Sequence, residues 1–342
     1  MNAADELIEQ IDAKKSYLVI GLDPNIYEDT SKAGVPHHLV REDGFEGVAN
    51  AFFEFNKQII DETHDLVAAY KPNFAFYVKY GVFGVEAFKK TVDYIKNKGC
   101  MVIGDAKENE IGNSAMAYSD AFLGETWVKE KGVFVKKPSF DVNFLTVNPY
   151  LGRETLEDTF AQDCQSFDKG VFVLIKTSNK GSGDLQDKLM SVEDLSDNDI
   201  GLLESIDAVT ANNSTQMYNH VALSVRSMGE KLIGEKGYSS IGAVVGATYP
   251  EQAKLLRKLL PNTPFLVPGY GAQGAKAQTL ANFFNEDGLG AIINSSRGII
   301  FSYKNSSFTE EEFAKAARKS ALDSINDINK VIESTGKYRW NN

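Results

Sequence analysis

The sequence is poor in cysteine and in long hydrophobic runs, and each shortage excludes a class of protein. Its 342 residues contain two cysteines, Cys100 and Cys164, which are too few for a disulfide framework and favour a reducing cytoplasm. No apolar stretch approaches the ~20 residues that a membrane-spanning helix requires. The acidic, helix-patterned N-terminus does not have the features of a signal peptide. We therefore expect a cytoplasmic protein that does not cross a membrane.

Basic residues and histidines are also scarce. The 36 lysines and arginines are outnumbered by 47 aspartates and glutamates, which gives a net charge of -11. Nucleic acids and anionic membranes bind to basic faces, so neither is an expected partner. The four histidines show no metal-ligand spacing, and no metal site is predicted from them.

What the sequence does contain is a regular alternation of short apolar runs and longer spacers. Each run is almost continuously apolar, which is typical of parallel strands covered on both faces. The runs occupy residues 16–24, 68–77, 100–109, 144–152, 170–179, 241–250, 264–274 and 290–299. Eight strands that alternate with helices favour a closed (β/α)8 TIM barrel, an α/β fold, over an open doubly wound sheet.

The spacers have the period of amphipathic helices. In the spacer between the first two runs, for example, Val48, Phe52, Phe55 and Ile59 recur at steps of four and three. The spacer at 180–240 is too long for one helix, and it combines an acidic polar segment with a helical pattern near its end. We expect a single barrel domain over residues 1–342, in which 180–240 is an extended loop and helix rather than a second domain.

Polar residues collect at the carboxyl ends of the predicted strands. Barrel active sites lie on that face, because the loops after the strands converge there. The residues concerned are Asp23, Lys71, Asn73, Asp105, Lys107, Asn148, Thr177, Ser178, Asn179, Gln273 and Arg297. The alternative is a structural network of ion pairs in the barrel mouth, but such a network would not need polar residues at one end of every strand.

The third run continues as "VIGDAKENEIGN" (102–113) and places two opposite charges close together. Residues two apart in a strand point to the same side, so Asp105 and Lys107 should share a face. Burial of both charges is costly unless they pair or take part in chemistry.

The last two strands point to a phosphorylated ligand. "GYGAQG" (269–274) follows the seventh strand, and its glycines leave backbone N–H groups open to close approach. "NSSRGI" (294–299) follows the eighth and supplies Ser296 and Arg297. The loops after strands seven and eight are the common phosphate site of the barrel fold, and an arginine can donate two hydrogen bonds to a phosphate.

Taken together, these motifs resemble the orotidine 5'-phosphate decarboxylase family, in its longer type with an extended insert. The motifs that carry the resemblance are GLDP (21–24), YKPNFAFY (70–77), DAKENEIGNS (105–114), VNPYLG (147–152), KTSN (176–179), VGATYPEQ (245–252), VPGYGAQG (267–274) and NSSRGI (294–299). The resemblance implies a phosphate-binding barrel that decarboxylates orotidine 5'-phosphate to UMP, the last step of de novo pyrimidine synthesis. It also implies a homodimer with shared active sites and a reaction without metal or organic cofactor.

The resemblance assigns a role to most of these residues. Lys107 would protonate C6 of the pyrimidine, Asp105 would lie against the substrate carboxylate, and Lys71 would hold Asp105 and the ribose in position. The remaining expected contacts are Asp23 to a ribose hydroxyl, Ser178 to the pyrimidine amide edge, Gln273 and Arg297 to the phosphate, and Asn73, Asn148, Thr177 and Ser296 elsewhere on the substrate.

The sequence departs from the family pattern at two positions after Lys107. Glu110 stands where the family has an aspartate that reaches the partner's active site, and Ser114 stands where threonine is usual. Glutamate keeps the charge but lengthens the side chain by roughly 1.5 Å. We keep Glu110 as a network residue and Ser114 as a substrate-binding residue.

Two other functions remain open at this stage. One is a catalytically silent, dimeric phosphate-binding barrel. Its only support is that Glu110 replaces the aspartate of the family pattern. The other is a metal-dependent sugar-phosphate decarboxylase on the same fold. Such relatives place an acidic metal ligand near the position of Lys71, so a lysine there argues against them.

Overall fold

A computed structural model describes residues 1–29, 31–270 and 277–340 of the chain. Within these ranges the strands are β1 (Leu18–Leu22), β2 (Ala69–Pro72), β3 (Met101–Glu108), β4 (Thr126–Glu130), β5 (Val133–Lys137), β6 (Phe144–Val147), β7 (Gly170–Lys176), β8 (Leu189–Ser191), β9 (Ser214–Gln216), β10 (Ile241–Val245), β11 (Phe265–Val267) and β12 (Ala291–Ser295). Eight of them form a closed parallel barrel in the order β1, β2, β3, β6, β7, β10, β11, β12, and β12 pairs with β1 to close it. The predicted (β/α)8 barrel and its eight strands are confirmed.

Helices follow the barrel strands and cover their outer side. In chain order the α-helices are α1 (Ala3–Lys14), α2 (Gly44–Thr63), α3 (Phe74–Val78), α4 (Gly81–Asn97), α5 (Gly112–Phe122), α6 (Arg153–Thr155), α7 (Ala161–Ser166), α8 (Asp197–Ser205), α9 (Met217–Glu230), α10 (Pro250–Leu259), α11 (Arg297–Ile300) and α12 (Phe313–Ser334). A π-helical turn, Leu156–Phe160, connects α6 to α7. None of the helices in the described ranges has both the length and the apolar character needed to cross a membrane.

The core follows from the two periodicities in the sequence. The strands β1, β2, β6, β10, β11 and β12 are buried along their whole length, as expected of strands covered on both faces. Helix α2 buries Phe52, Phe55 and Ile59, which are three of the residues that predicted it. Phe55 stacks on Phe313 at the start of α12, with 4.9 Å between the ring centroids. The apolar stripe of α2 therefore packs against both the barrel and the last helix.

Two antiparallel hairpins lie outside the barrel, and no strand was predicted at either of them. The first pairs β4 with β5, directly after α5. The second pairs β8 with β9 inside the 180–240 segment. That segment also contains α8, whose N-cap Ser196 accepts a hydrogen bond from the Asp199 amide at 3.2 Å. The acidic polar part of the 180–240 segment therefore contains the first turn of a helix.

Candidate active site

A cavity of about 500 Å³ opens at the carboxyl ends of the barrel strands, on the face where the polar residues were predicted to meet. Its lining includes seven of the polar residues predicted at the strand ends, namely Lys71, Asp105, Lys107, Asn148, Thr177, Ser178 and Asn179. They come from the ends of β2, β3, β6 and β7. The barrel thus brings together groups that are far apart in the sequence.

Asp105 is the centre of the charged group in this cavity. Its Oδ2 accepts a hydrogen bond from the Lys71 ammonium, and its Oδ1 accepts one from Lys107 Nζ at 2.5 Å. The side chains of Lys71 and Asp105 are each 6% exposed, whereas that of Lys107 is 47% exposed. Two cations therefore flank one buried carboxylate, and one of the cations remains open to the cavity.

The backbone of β3 does not follow a simple strand at this point. Its pairing with β6 shifts register between Gly104 and Glu108, and Lys107 has a φ of +55°, in the left-handed region. Such a conformation is unusual for a residue with a side chain and is held here by its surroundings. The Lys107 amide donates to Thr146 Oγ1 at 3.0 Å. The prediction that Asp105 and Lys107 lie together is confirmed, but through a bulge rather than regular alternation.

Thr146 is a site residue that the sequence analysis did not identify. It lies in β6 and is 1% exposed, and its hydroxyl donates to Asp105 Oδ1 at 3.0 Å. The only sequence signal was a polar residue inside the apolar run Phe144–Val147. A threonine is common in buried strands, so that signal alone does not indicate a site.

The electrostatics of the group favour its charged forms. Burial raises the pKa of Asp105, but the ammonium groups of Lys71 and Lys107 outweigh this effect and hold it well below its usual range. Burial alone would lower the pKa of Lys71, yet the carboxylates of Asp105 and Asp23 raise it. Asp105 is therefore ionised and Lys71 is protonated at neutral pH.

Asp23, after β1, has a different environment. Burial raises its pKa, the Lys71 ammonium lowers it, and the Asp105 carboxylate raises it again. Its Oδ1 is buried and has no hydrogen-bond partner among the residues that the structure describes. A buried oxygen without a partner is a natural acceptor for a hydroxyl group of a ligand.

Asn294 lies in β12 and Ser296 directly follows that strand. Asn294 Nδ2 donates to Ser296 Oγ at 3.3 Å, whereas Asn294 Oδ1 is buried without a partner in the described part of the chain. The Ser296 side chain packs directly against Gly21 of β1. Only glycine fits at that position, because a Cβ there would lie 1.8 Å from Ser296 Oγ. Asn294 was not predicted as a site residue, although it belongs to the quoted NSSRGI motif.

Two predicted residues, Asn73 and Asn148, cap the short helical turns that follow β2 and β6. Asn73 Oδ1 accepts from the Ala75 amide at 3.3 Å at the start of α3, and its backbone bridges to Asp105. Asn148 Oδ1 accepts from the Tyr150 amide at 3.1 Å. Each cap fixes the loop that leaves its strand.

Six predicted residues within the described ranges are not in the cavity lining, namely Asp23, Asn73, Glu110, Ser114, Ser296 and Arg297. Glu110 Oε1 accepts from the amide of Ile111 at 2.8 Å, and Ser114 is exposed on α5. Arg297 is exposed at the start of α11. Gln273 lies outside the described residues. The structure therefore does not bring Glu110, Ser114 or Arg297 into contact with the Asp105 group of the same chain.

Known proteins are similar to this chain in both sequence and fold. A family model described as the orotidine 5'-phosphate decarboxylase / HUMPS family matches residues 16–311. The orotidine 5'-phosphate decarboxylase of Caldicellulosiruptor bescii is 38% identical over 335 residues, which cover 95% of this chain and 98% of the relative. That of Clostridium novyi is 36% identical over 319 residues, which cover 93% and 95%.

Solved structures give the same result. The orotidine monophosphate decarboxylase of Leishmania donovani superposes with a TM-score of 0.64 at 28% identity, and the match covers 97% of this chain and 98% of that one. A crystal structure from Toxoplasma gondii superposes with a TM-score of 0.73 at 26% identity over 97% of each chain.

Proposed function

The chain belongs to the orotidine 5'-phosphate decarboxylase / HUMPS family, and from this premise we propose how its site converts orotidine 5'-phosphate to UMP and CO2. The enzyme is a carbon–carbon lyase of pyrimidine biosynthesis. One observation carries the proposed mechanism: Asp105 is flanked by Lys71 and Lys107 in the wall of the cavity. This arrangement places one negative and two positive charges next to each other in the cavity.

The reaction needs charge stabilisation more than bond-making groups. When the bond between C6 and the carboxylate breaks, its electron pair remains on C6 as a vinylic carbanion, and no adjacent carbonyl can delocalise it. Preorganised charges and a proton donor are then the means of stabilisation left to the protein. The Lys107 ammonium supplies positive charge beside C6 and transfers one proton to it, which gives UMP. Its 47% exposure lets the resulting amine take a proton back from solvent.

Asp105 acts on the substrate carboxylate. Because Lys71 and Lys107 keep it ionised, a bound substrate carboxylate next to it meets a like charge. At ~4 Å and an effective dielectric constant near 20, that contact is worth about 4 kcal/mol. It is relieved when neutral CO2 leaves. This is a fraction of the ~8–23 kcal/mol by which enzymes usually lower a barrier, so Lys107 and the rest of the site must supply the remainder.

The other predicted residues hold the substrate. Asp23 accepts a ribose hydroxyl at its unpaired Oδ1, with Lys71 alongside. Thr177 and Ser178 contact the edge of the pyrimidine, and Asn73 and Asn148 shape the neighbouring loops. Gln273 and Arg297 bind the phosphate, and Ser296 contacts another part of the substrate. Binding energy from the phosphate, remote from C6, can then be used to stabilise the transition state.

The proposal includes a cytoplasmic homodimer with shared sites. Glu110 lies just beyond β3 and outside the cavity of its own chain, and Ile111 next to it is a large apolar residue that is 61% exposed. Glu110 and Ser114 then complete the active site of the partner. Each subunit acts as one barrel domain, with 180–240 as an extended loop and helix.

Two variants of Lys107 test the mechanism. Lys107→Ala removes charge and proton, whereas Lys107→Arg keeps the charge on a group that does not give up its proton. We expect both to lose at least ~100-fold in kcat, in the range of general acid catalysis, while UMP binding measured by calorimetry persists. An arginine variant with near wild-type turnover would refute proton transfer from Lys107, and an active alanine variant would refute its role altogether.

A further inference from the structure

Residues from two parts of the 180–240 segment, the stretch after β7 and the start of α9, line the active-site cavity, and the mechanism above does not use them. The segment contributes five residues to the lining, namely Leu185, Gln186, Met217, Tyr218 and Val221. The same lining includes Thr177 and Ser178, which follow the strand β7.

Gln186 makes the direct connection between this wall and the barrel. Its Oε1 accepts a hydrogen bond from the Thr177 amide at 3.0 Å, and its Nε2 donates to Thr177 Oγ1 at 2.9 Å. One side-chain amide therefore satisfies both the backbone donor and the hydroxyl of the same residue. The Thr177 hydroxyl in turn donates to Asn179 Oδ1 at 2.7 Å, which fixes the direction of its proton.

The residues on either side of this contact are anchored to the barrel. Lys176, the last residue of β7, is fully buried, and its Nζ lies 2.7 Å from Asp187 Oδ1 and 3.3 Å from Ser182 Oγ. The same ammonium lies 4.2 Å from the centroid of the Tyr249 ring, after β10. A buried lysine is costly without such partners, so the position of Asp187, and of Gln186 beside it, is tightly determined.

The backbone of Gln186 extends the connection to helix α9. The Gln186 carbonyl accepts from the Tyr218 amide at 3.1 Å, and the Lys188 carbonyl accepts from the Met217 amide at 2.8 Å. Gln186 thus lies between the end of β7 and the start of α9. Its side chain and main chain hold both in one arrangement around the cavity.

We propose that Gln186 is a positioning residue for pyrimidine recognition: it acts through Thr177 to fix the Thr177–Ser178 peptide against the base. The inference rests on the proposed function, in which Thr177 and Ser178 contact the edge of the pyrimidine. It also assigns a role to the 180–240 segment, which would form the wall of the cavity next to the pyrimidine base. Arg297, the phosphate residue that the structure describes, is not part of this wall.

The test compares ligands with and without the base. Gln186→Ala removes both hydrogen bonds to Thr177, so we expect about tenfold weaker binding of UMP and a matching rise in KM for orotidine 5'-phosphate. Binding of ribose 5-phosphate, which lacks the base, should stay within about twofold of wild type. Lys188→Ala is the control, because this exposed side chain lies in the same segment but makes no described contact with the cavity.

Gln186→Glu gives a second, milder test. Glutamate can still accept from the Thr177 amide but cannot donate to Thr177 Oγ1, so UMP binding should fall between wild type and the alanine variant. UMP binding at wild-type strength in either variant would overturn the inference. Equal losses for UMP and ribose 5-phosphate would also overturn it, because they would show a general effect on folding. A wild-type protein that neither binds UMP nor turns over orotidine 5'-phosphate would refute the proposed function itself.

Discussion

Replacement of Lys71 by methionine would leave the buried Asp105 carboxylate with one cationic partner instead of two. Removal of one member of a buried ion pair usually costs about 3–5 kcal/mol, because the other charge remains without compensation. Here Lys107 Nζ still lies 2.5 Å from Asp105 Oδ1, but its side chain is 47% exposed and is partly screened by water. We therefore expect the lower end of the range, a loss of about 3 kcal/mol in the free energy of unfolding.

The pH dependence of this loss has a definite sign. In the wild type the two ammonium groups outweigh burial and hold the pKa of Asp105 well below 3.8. Ionised Asp105 therefore stabilises the fold above about pH 4, and that contribution is lost as the pH falls toward the lowered pKa. Without Lys71 the pKa of Asp105 rises. The difference in stability between wild type and Lys71→Met should thus be largest at neutral pH and should shrink in acid, where Asp105 of the variant is protonated.

Urea unfolding followed by circular dichroism, at neutral pH and in mild acid, measures this difference. The matched control is the double variant Lys71→Met with Asp105→Asn, in which residue 105 no longer carries a charge beside the missing ammonium. It should recover most of the stability that the single variant loses at neutral pH. The reasoning would be refuted if Lys71→Met were as stable as wild type at neutral pH, or if the double variant were less stable than the single one.

Two further substitutions test other parts of the site. Thr146→Val keeps the shape of the side chain but removes its hydrogen bonds to Asp105 and to the Lys107 amide. We expect kcat to fall about tenfold with little change in KM, and steady-state kinetics with an unchanged kcat would contradict this. For Glu110, a mixture of inactive Glu110→Ala and Lys107→Ala proteins should regain about a quarter of wild-type activity if dimers with shared sites form at random. A mixture that stays inactive would mean that Glu110 does not serve the partner's site.

The barrel and most of the cavity could be predicted because they depend on regular patterns. The continuous apolar runs predicted all eight barrel strands. The rule that the active site lies at the carboxyl ends of the strands then predicted Lys71, Asp105 and Lys107 as site residues. The two outer hairpins were not predicted, because they lie beside the barrel and are mostly exposed. Their strands therefore lack the apolar continuity that identified the others.

The remaining features depend on contacts that no local pattern carries. The bulge in β3 and the left-handed Lys107 arise from pairing with β6, not from the residues of β3 alone. Gln186 contacts Thr177 only because of how the chain turns after β7 and how Asp187 pairs with Lys176. Local sequence shows that residues 180–240 are polar, but not which of their side chains point into the cavity.

The most direct test of the central claim is an absorbance assay of the wild-type protein with orotidine 5'-phosphate in excess chelator. The claim is that the Lys71–Asp105–Lys107 group decarboxylates this substrate by electrostatics and proton transfer, with no metal ion. The account predicts decay of the orotate chromophore to the UMP spectrum, at a rate that does not depend on the chelator. A flat trace from a protein that still binds UMP would contradict it and would leave a phosphate-binding barrel without this activity.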